Sequence, residues 1–360
     1  MNRQKEKSWI LIFLSVFAAG IVLTACAVVE IDPFFHYHAP LTDRYYYRLN
    51  SERNQNDGIT RHFDYTGLIT GTSHAENFKT SEAEALFGGR FIKIPYAGAS
   101  YREIQESVAR ALKRNPKTAV VIRALDIEYL LDGKDNMRED MGVFPSYLYD
   151  DDLLNDIRYV LNRNVVFSRA CRMLSEKGRK DFMPGMTDFD DYAVWHGMFP
   201  YGAEEVCPYG IENPDTVEQK QMSDKTRARL LEGIRQNITD LAKDYPEVEF
   251  IYFLTPYSLA WWRDMVAAGT SRKWLEAERI LAEEALLHPN IRLFSWNDRT
   301  DIIGDLDNYI DKTHYGPWIS EQLLQYMQEG QGLLTNENCG DFFDREMNLH
   351  LTFDYESMMR

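Results

Sequence analysis

A serine, a histidine and an aspartate stand where alternating strands and helices would bring them together. Gly71-Thr72-Ser73-His74 follows a short apolar run at 65–70 that reads as a buried strand. A serine at such a strand-to-helix turn is exposed at the rim of a sheet. The N–H groups and partial positive charge of the helix start behind it can hold an oxyanion. The serine needs a base. Asp311-Lys312-Thr313-His314 precedes an apolar helical pattern at 318–327; it offers His314 to take the proton and Asp311 to orient the imidazole. The same residues have a plainer reading. Ser73-His74-Ala75-Glu76 fits the S-x-x-E capping box, and Asp311 and His314 could simply organise the loop before Gly316 and Pro317. The order along the chain favours chemistry, with serine after the first strand and acid and histidine before the last helix.

Other side chains bear on such a site. His74 either lines it or is an exposed first-turn residue. Tyr257 and Ser258 follow a strand at 248–254 that Pro256 stops, and would contact substrate or pack a turn. Trp195, in Trp195-His196-Gly197, would stack on a sugar face or belong to a local core. His36 and His38 have only Asp32 as a nearby carboxylate before Asp43 and no thiol following before Cys171, too thin a set for a metal. Asp150-Asp151-Asp152 and Asp188-Phe189-Asp190-Asp191 lack the spacing of an EF-hand loop and read as turns or helix caps. No metal and no organic cofactor is expected.

The elements that must position these groups alternate. Strand patterns at 65–70, 91–96, 118–125, 248–254 and 291–296 are separated by helical patterns through about 87 and at 101–114, 226–245 and 272–287. Short strands that are apolar on both faces imply a parallel sheet covered on two sides, with active groups at the carboxyl ends of strands. The stretch at about 132–223 breaks the alternation and reads as an insertion over the strand ends, a lid or substrate-shaping element. It holds Cys171 and Cys207, which could pair outside a cell. The tail at 335–360 lacks clear periodicity.

The amino end sets the compartment. Arg3, Lys5 and Lys7 precede 22 residues, 8–29, without a charge, and Glu30 and Asp32 follow. Such a run reaches roughly 33 Å as a helix, enough to cross a bilayer core. The charge asymmetry places a tip in the cytoplasm and the body outside. Leu23-Thr24-Ala25-Cys26 also resembles a lipobox, which would make Cys26 a lipidated terminus, but the apolar run continues beyond it. The expected organisation is 1–29 tip and transmembrane anchor, 30–62 juxtamembrane segment, 63–334 α/β domain with the insertion, and 335–360 tail. Across the 360 residues, 40 Lys+Arg against 56 Asp+Glu give a net charge of −16, which excludes a nucleic-acid binder with a concentrated basic face. Four Cys without a CxxC pair exclude a disulfide scaffold and a Cys-rich zinc module.

Gly71-Thr72-Ser73 after the first strand, with Asp311-x-x-His314 near the end, resembles the SGNH/GDSL hydrolase superfamily. With the anchor and Thr255-Pro256-Tyr257-Ser258 after the fourth strand, the chain is similar to membrane-anchored bacterial SGNH-like proteins of teichoic-acid D-alanyl transfer and alginate O-acetylation. The resemblance spans about 65–327 by motif order. It implies a three-layer α/β/α, flavodoxin-like parallel-sheet fold, a Ser73 nucleophile, an Asp311/His314 pair, and an oxyanion hole from the backbone of Ser73 and Gly98. It departs from the family in reading GTSH where many members read GDSL. The third strand ends Arg123-Ala124-Leu125-Asp126, without the usual Asn, and an ionised Asp126 cannot donate a hydrogen bond. The implied work is hydrolysis or transfer of an ester-linked acyl group, acetyl foremost, on a cell-envelope or exopolysaccharide glycan. The alternative is a catalytically inactive SGNH-like binding protein in a polysaccharide assembly or modification complex. The implied partners are the glycan or an acylated carrier, the membrane through the N-terminal helix and, for transfer, a membrane-bound O-acyltransferase.

Overall fold

The computed structural model describes residues 3–138, 140 and 143–359. Met1 and Asn2 of the expected tip, Glu139, Met141 and Gly142 of the expected insertion, and Arg360 of the tail lie outside the described residues. The chain forms two compact units, Met1–Phe63 with Phe144–Asp188, and Asp64–Val143 with Phe189–Arg360. The stretch expected as one insertion is therefore divided between them.

In the first unit, α1 (Arg3–Ile31) is one unbroken helix of 29 residues, about 43 Å long. It is the one helix among the described residues that is long and apolar enough to cross a membrane. Its apolar side chains from Trp9 to Leu23 are exposed, and Cys26 is exposed within it. Asp32, at φ 42°, breaks the helix, and Pro33 follows. The buried Asp32 carboxylate accepts the N–H groups of His36 (3.0 Å), Tyr37 (2.6 Å) and His38 (3.0 Å) and the Tyr159 hydroxyl (2.7 Å). His36 Nε2 lies 3.0 Å from Asp156 Oδ1, and the His38 nitrogens face the carbonyls of Ala39 and Val29. These imidazoles thus pin the chain beyond α1. Helix α2 (Glu52–His62) follows, and two short strands, Tyr46–Tyr47 and Gly185–Met186, pair in parallel.

The second unit is built on a five-stranded, wholly parallel sheet: β1 (Gly67–Gly71), β2 (Phe91–Pro95), β3 (Val120–Leu125), β4 (Glu249–Leu254) and β5 (Ile291–Phe294). The spatial order is β2-β1-β3-β4-β5, which is the doubly wound order with its switch point between β1 and β3. Every residue of β1 and β2 is buried; since successive side chains point to opposite faces, both faces of these strands are covered. The helices between and after the strands are α3 (Thr80–Phe87), α4 (Tyr101–Arg114), α5 (Asp224–Ile234), α6 (Leu259–Ala267), α7 (Ser271–Ala285), α8 (Pro317–Glu329) and α9 (Cys339–Thr352). Ser100 and Glu103 form a reciprocal capping box that starts α4, and Pro317 starts α8.

Three expectations change. The helix expected directly after β1 begins only at Thr80, because residues 72–79 make a single tight turn at Ser73–Ala75 and then a loop. Asp190 caps α3, accepting from Thr80 Oγ1 (3.0 Å) and the Ser81 N–H (3.1 Å). The tail contains a full helix, α9. Cys171 is exposed in the first unit and Cys207 is buried in the second, each as a free thiol.

Candidate active site

β1 leaves the sheet through Gly71, at φ +148°, where a Cβ would come within 2.8 Å of Ala124 Cβ on the neighbouring strand. Only glycine fits there, and the chain turns at once into Ser73–Ala75. Ser73 therefore sits above the carboxyl end of β1, at the switch point. The capping-box reading fails here: Ser73 caps no helix, and its Oγ lies 2.8 Å from His314 Nε2.

His314 is held by a short loop ahead of α8. Tyr309 and Tyr315 bridge the loop's base, and the Ile310 N–H donates to the His314 carbonyl at 3.1 Å. Asp311 folds the tip. Its Oδ1 accepts the N–H groups of Thr313 and His314, both at 2.8 Å, while Oδ2 lies 2.8 Å from His314 Nδ1. An aspartate that accepts backbone N–H groups two and three residues on is a turn former by chemistry. Burial pushes its pKa up, but the bonds from His314 and the two N–H groups outweigh that and hold it well below the usual carboxylate range. With Asp311 ionised, His314 carries its proton on Nδ1 and presents a lone pair on Nε2 to the serine. Structure thus brings together three residues spaced across more than 240 positions.

Beneath this array lies a second network. His74 is buried, with only 5% of its surface accessible, rather than exposed in a first turn. Its Nδ1 is 2.5 Å from Asp126 Oδ1 and its Nε2 is 3.0 Å from the Thr313 carbonyl. The ring stacks on His314 with centroids 4.6 Å apart and planes 4° from parallel. Asp126, at the end of β3, also accepts the hydroxyls of Thr72 (2.5 Å) and Tyr257 (3.0 Å). Burial penalises both charges. The Asp126 carboxylate nonetheless raises the His74 pKa, and His74⁺, Thr72 and Tyr257 lower that of Asp126. Asp126 is thus turned toward a buried ion pair.

A cavity of about 400 Å³ opens at Ser73 and His314, walled by Trp195, Phe199, Pro200 and Ile310, with Glu76 and Glu205. The Trp195 ring meets His314 edge-on, with centroids 5.9 Å apart. Of the expected substrate contacts, Trp195 is on this wall. His74, Tyr257 and Ser258 are not. Tyr257 is buried behind Asp126, and the Ser258 hydroxyl donates to the Lys312 carbonyl at 2.8 Å, anchoring the histidine loop. Gly98, at φ +62°, lies in the loop after β2, where the Tyr96 N–H donates to the Gly71 carbonyl at 2.9 Å. The wall residues Phe199, Pro200 and Ile310 carry no motif and were not legible in the sequence. The paired roles of His74 and Asp126 had one sequence signal, the acid in place of an amide at the end of the third strand. Among the described residues no group of three or more His, Cys, Asp or Glu side chains is placed to hold a metal.

The fold and the site together define an α/β protein with a serine–histidine–aspartate relay at the strand ends. No family model matches the chain, and no curated protein matches it. Among solved structures it is similar to a candidate platelet activating factor from Streptococcus pneumonia, at 12% identity and a TM-score of 0.38, over 77% of this chain and 89% of that one.

Proposed function

We propose that this chain is a membrane-anchored, extracytoplasmic serine esterase or O-acyltransferase acting on ester-linked acyl groups, acetyl foremost, of cell-envelope or exopolysaccharide glycans. The reading takes the sheet-centred unit as a three-layer α/β/α body of SGNH type and α1 as a single membrane span. One observation carries it: Ser73 Oγ, His314 Nε2 and Nδ1, and Asp311 Oδ2 form a continuous relay with both links at 2.8 Å.

Ser73 Oγ attacks the ester carbonyl carbon while His314 Nε2 takes the hydroxyl proton. Asp311 stabilises the imidazolium so formed. The charge on the carbonyl oxygen falls to the backbone N–H groups of Ser73 and Gly98. Collapse breaks the carbon–oxygen bond to the sugar, and His314 returns its proton to the leaving oxygen. Water or an acceptor hydroxyl, deprotonated by His314, then releases the acyl group from Ser73. Trp195 and Phe199 offer aromatic faces for a sugar ring beside a cavity large enough for a short acyl chain.

A second reading, a silent binding protein of the same fold, is favoured by Asp126, which supplies no side-chain donor for the oxyanion. One experiment separates them. The full chain in detergent is treated with a fluorophosphonate and assayed on p-nitrophenyl acetate. Serine chemistry predicts labelling of Ser73, and Ser73→Ala lowers turnover by roughly 10⁶-fold or to the detection limit. An unlabelled Ser73 with turnover unchanged in Ser73→Ala removes the enzymatic reading.

A further inference from the structure

The first unit carries an inverted surface. Residues 153–174 form two helical pieces, Ile157–Val160 and the wider turns Asn164–Ala170 continuing into Cys171–Lys177. Tyr159, Val165, Ala170 and Met173 face inward and are buried. The outer side is apolar as well, with Leu154 89% exposed, Leu153 74%, Phe167 66% and Ile157 60%. These pieces pack against α1, which is exposed from Lys7 through Leu23 and, among the described residues, buried only at Val28 and Ile31, its final turns. The exposed apolar side chains thus surround the end where α1 would leave a bilayer.

The same stretch is basic in an acidic chain. Arg158, Arg163, Arg169 and Arg172 stand against one acid, Asp156, which is buried on His36. Among the described residues no carboxylate pairs with Arg158, Arg163 or Arg169. Arg48, Arg169 and Arg172 converge on a pocket of about 220 Å³ whose wall includes Pro33, two residues past the end of α1. Glu176 bonds Arg48 (2.7 Å) and Arg172 (3.0 Å), leaving the pocket with excess positive charge. Guanidinium groups with free donors suit phosphate oxygens. Apolar side chains flanked by arginine are the composition of an interfacial segment.

We propose that residues 153–174 form a second membrane contact, seating Leu153, Leu154, Ile157 and Phe167 in the bilayer surface that α1 leaves and receiving the phosphate of an anionic phospholipid between Arg48, Arg169 and Arg172. This rests on the reading of α1 as a membrane span. The test is hydrogen exchange of the full chain in nanodiscs of phosphatidylcholine alone or mixed equally with phosphatidylglycerol, and in neutral detergent. Peptides within 153–174 are expected to exchange about tenfold more slowly in anionic discs. Arg169→Gln with Arg172→Gln abolishes the difference between the two lipids. Leu154→Ser with Phe167→Ser speeds exchange in both discs, while β1 peptides stay protected and report an intact fold. Equal exchange in both discs and detergent overturns the contact. So does protection in detergent by millimolar inorganic phosphate that matches anionic discs, which makes the pocket a free-phosphate site. Release of the chain from native membranes by alkaline carbonate overturns the span and the contact together; retention with an unprotected 153–174 overturns the contact alone.

Discussion

His74 places both ring nitrogens against acceptors, the Asp126 carboxylate and the Thr313 carbonyl, so satisfying both requires two protons and a positive charge. The imidazolium then ties the nucleophile turn, the end of β3 and the histidine loop to one another. It is a positioning residue, acting on His314 through Thr313 and through the stacked ring. Removing one partner of a buried pair leaves the other charge alone, at a cost of about 3–5 kcal/mol. His74→Gln is therefore expected to unfold more easily and to lower kcat by roughly 10–100-fold with KM little changed, the signature of a misplaced base. The signs with pH are opposite for the two partners. The raised His74 pKa adds stability that is complete below its unfolded value and is lost as pH rises through the folded one. The depressed Asp126 pKa adds stability above its unfolded value that is lost as pH falls through the folded one. Denaturant midpoints across pH should show a smaller alkaline loss in His74→Gln than in the native chain. Asp126→Asn supplies an amide but breaks the pair, so it is expected to lower both stability and turnover. A gain in turnover would mean that this side chain reaches the oxyanion, against the present geometry.

Between β1 and α3 the backbone runs through eight residues whose one regular turn is Ser73–Ala75, yet Ser73 must be fixed to a fraction of an ångström. Lys93 does part of this from β2. Its Nζ is fully buried and donates to the carbonyls of Glu76 (2.5 Å) and Phe78 (2.9 Å), pinning the loop just past the serine. Lys93→Met keeps the stem and removes the donor, so two buried carbonyls lose a bond, worth about 1–3 kcal/mol. Faster hydrogen exchange confined to 72–79, with a fall in kcat, is the expected result; unchanged exchange there would show that the loop is held by other contacts. The sheet was legible because its strands are short apolar runs between helical patterns, three of them closed by Gly or Pro, and each observed strand falls within about two residues of its sequence pattern. Of the labelled helices, α2, α6 and α9 were not. In α6 the run Leu259-Ala260-Trp261-Trp262 is buried on all sides and shows no stripe. In α9 the buried face includes Glu346 and His350 beside Phe342 and Phe343, which erases the apolar period. Nor could local pattern group 144–188 with the segment after α1, since that joining depends on contacts such as Tyr159 to Asp32, far apart in the chain. At the site, the order of serine, acid and histidine along alternating elements was enough to anticipate their convergence. The burial of His74 was not, because a histidine beside a nucleophile reads the same whether or not a distant aspartate waits for it.

Charge organises the molecule on its largest scale, and the sharpest case is a pair of acids in the second unit. Glu278 on α7 and Glu346 on α9 are both fully buried, with Asn297 Nδ2 donating to Glu278 Oε1 at 2.9 Å. The two carboxyls are buried with no counter-charge between them, so the pair holds a proton. Were both ionised, Glu278 Oε2 and both oxygens of Glu346 would be buried without a donor. Burial raises Glu278 from its ordinary 4.5 to about 8, and raises Glu346 well above its usual range as the Glu278 charge adds to it. His350, stacked on Trp262 at 4.0 Å, is lowered by burial to about 3 and stays neutral, so it offers no counter-charge. The folded chain thus keeps a proton that the unfolded chain has released. Stability must fall as pH climbs from about 4.5 toward 8. Glu278→Gln gives Glu346 an amide donor in place of the shared proton. Its thermal midpoint should exceed that of the native chain at pH 8 by roughly 2–4 °C for each kcal/mol recovered, and the two should converge near pH 5. Hydrogen exchange in α9 should follow the same curve, because this helix contributes the second acid. Parallel midpoints for the two proteins from pH 5 to pH 8 would mean that the pair titrates without linkage to folding, and the anchoring of α9 would then rest on its Phe342 and Phe343 packing alone.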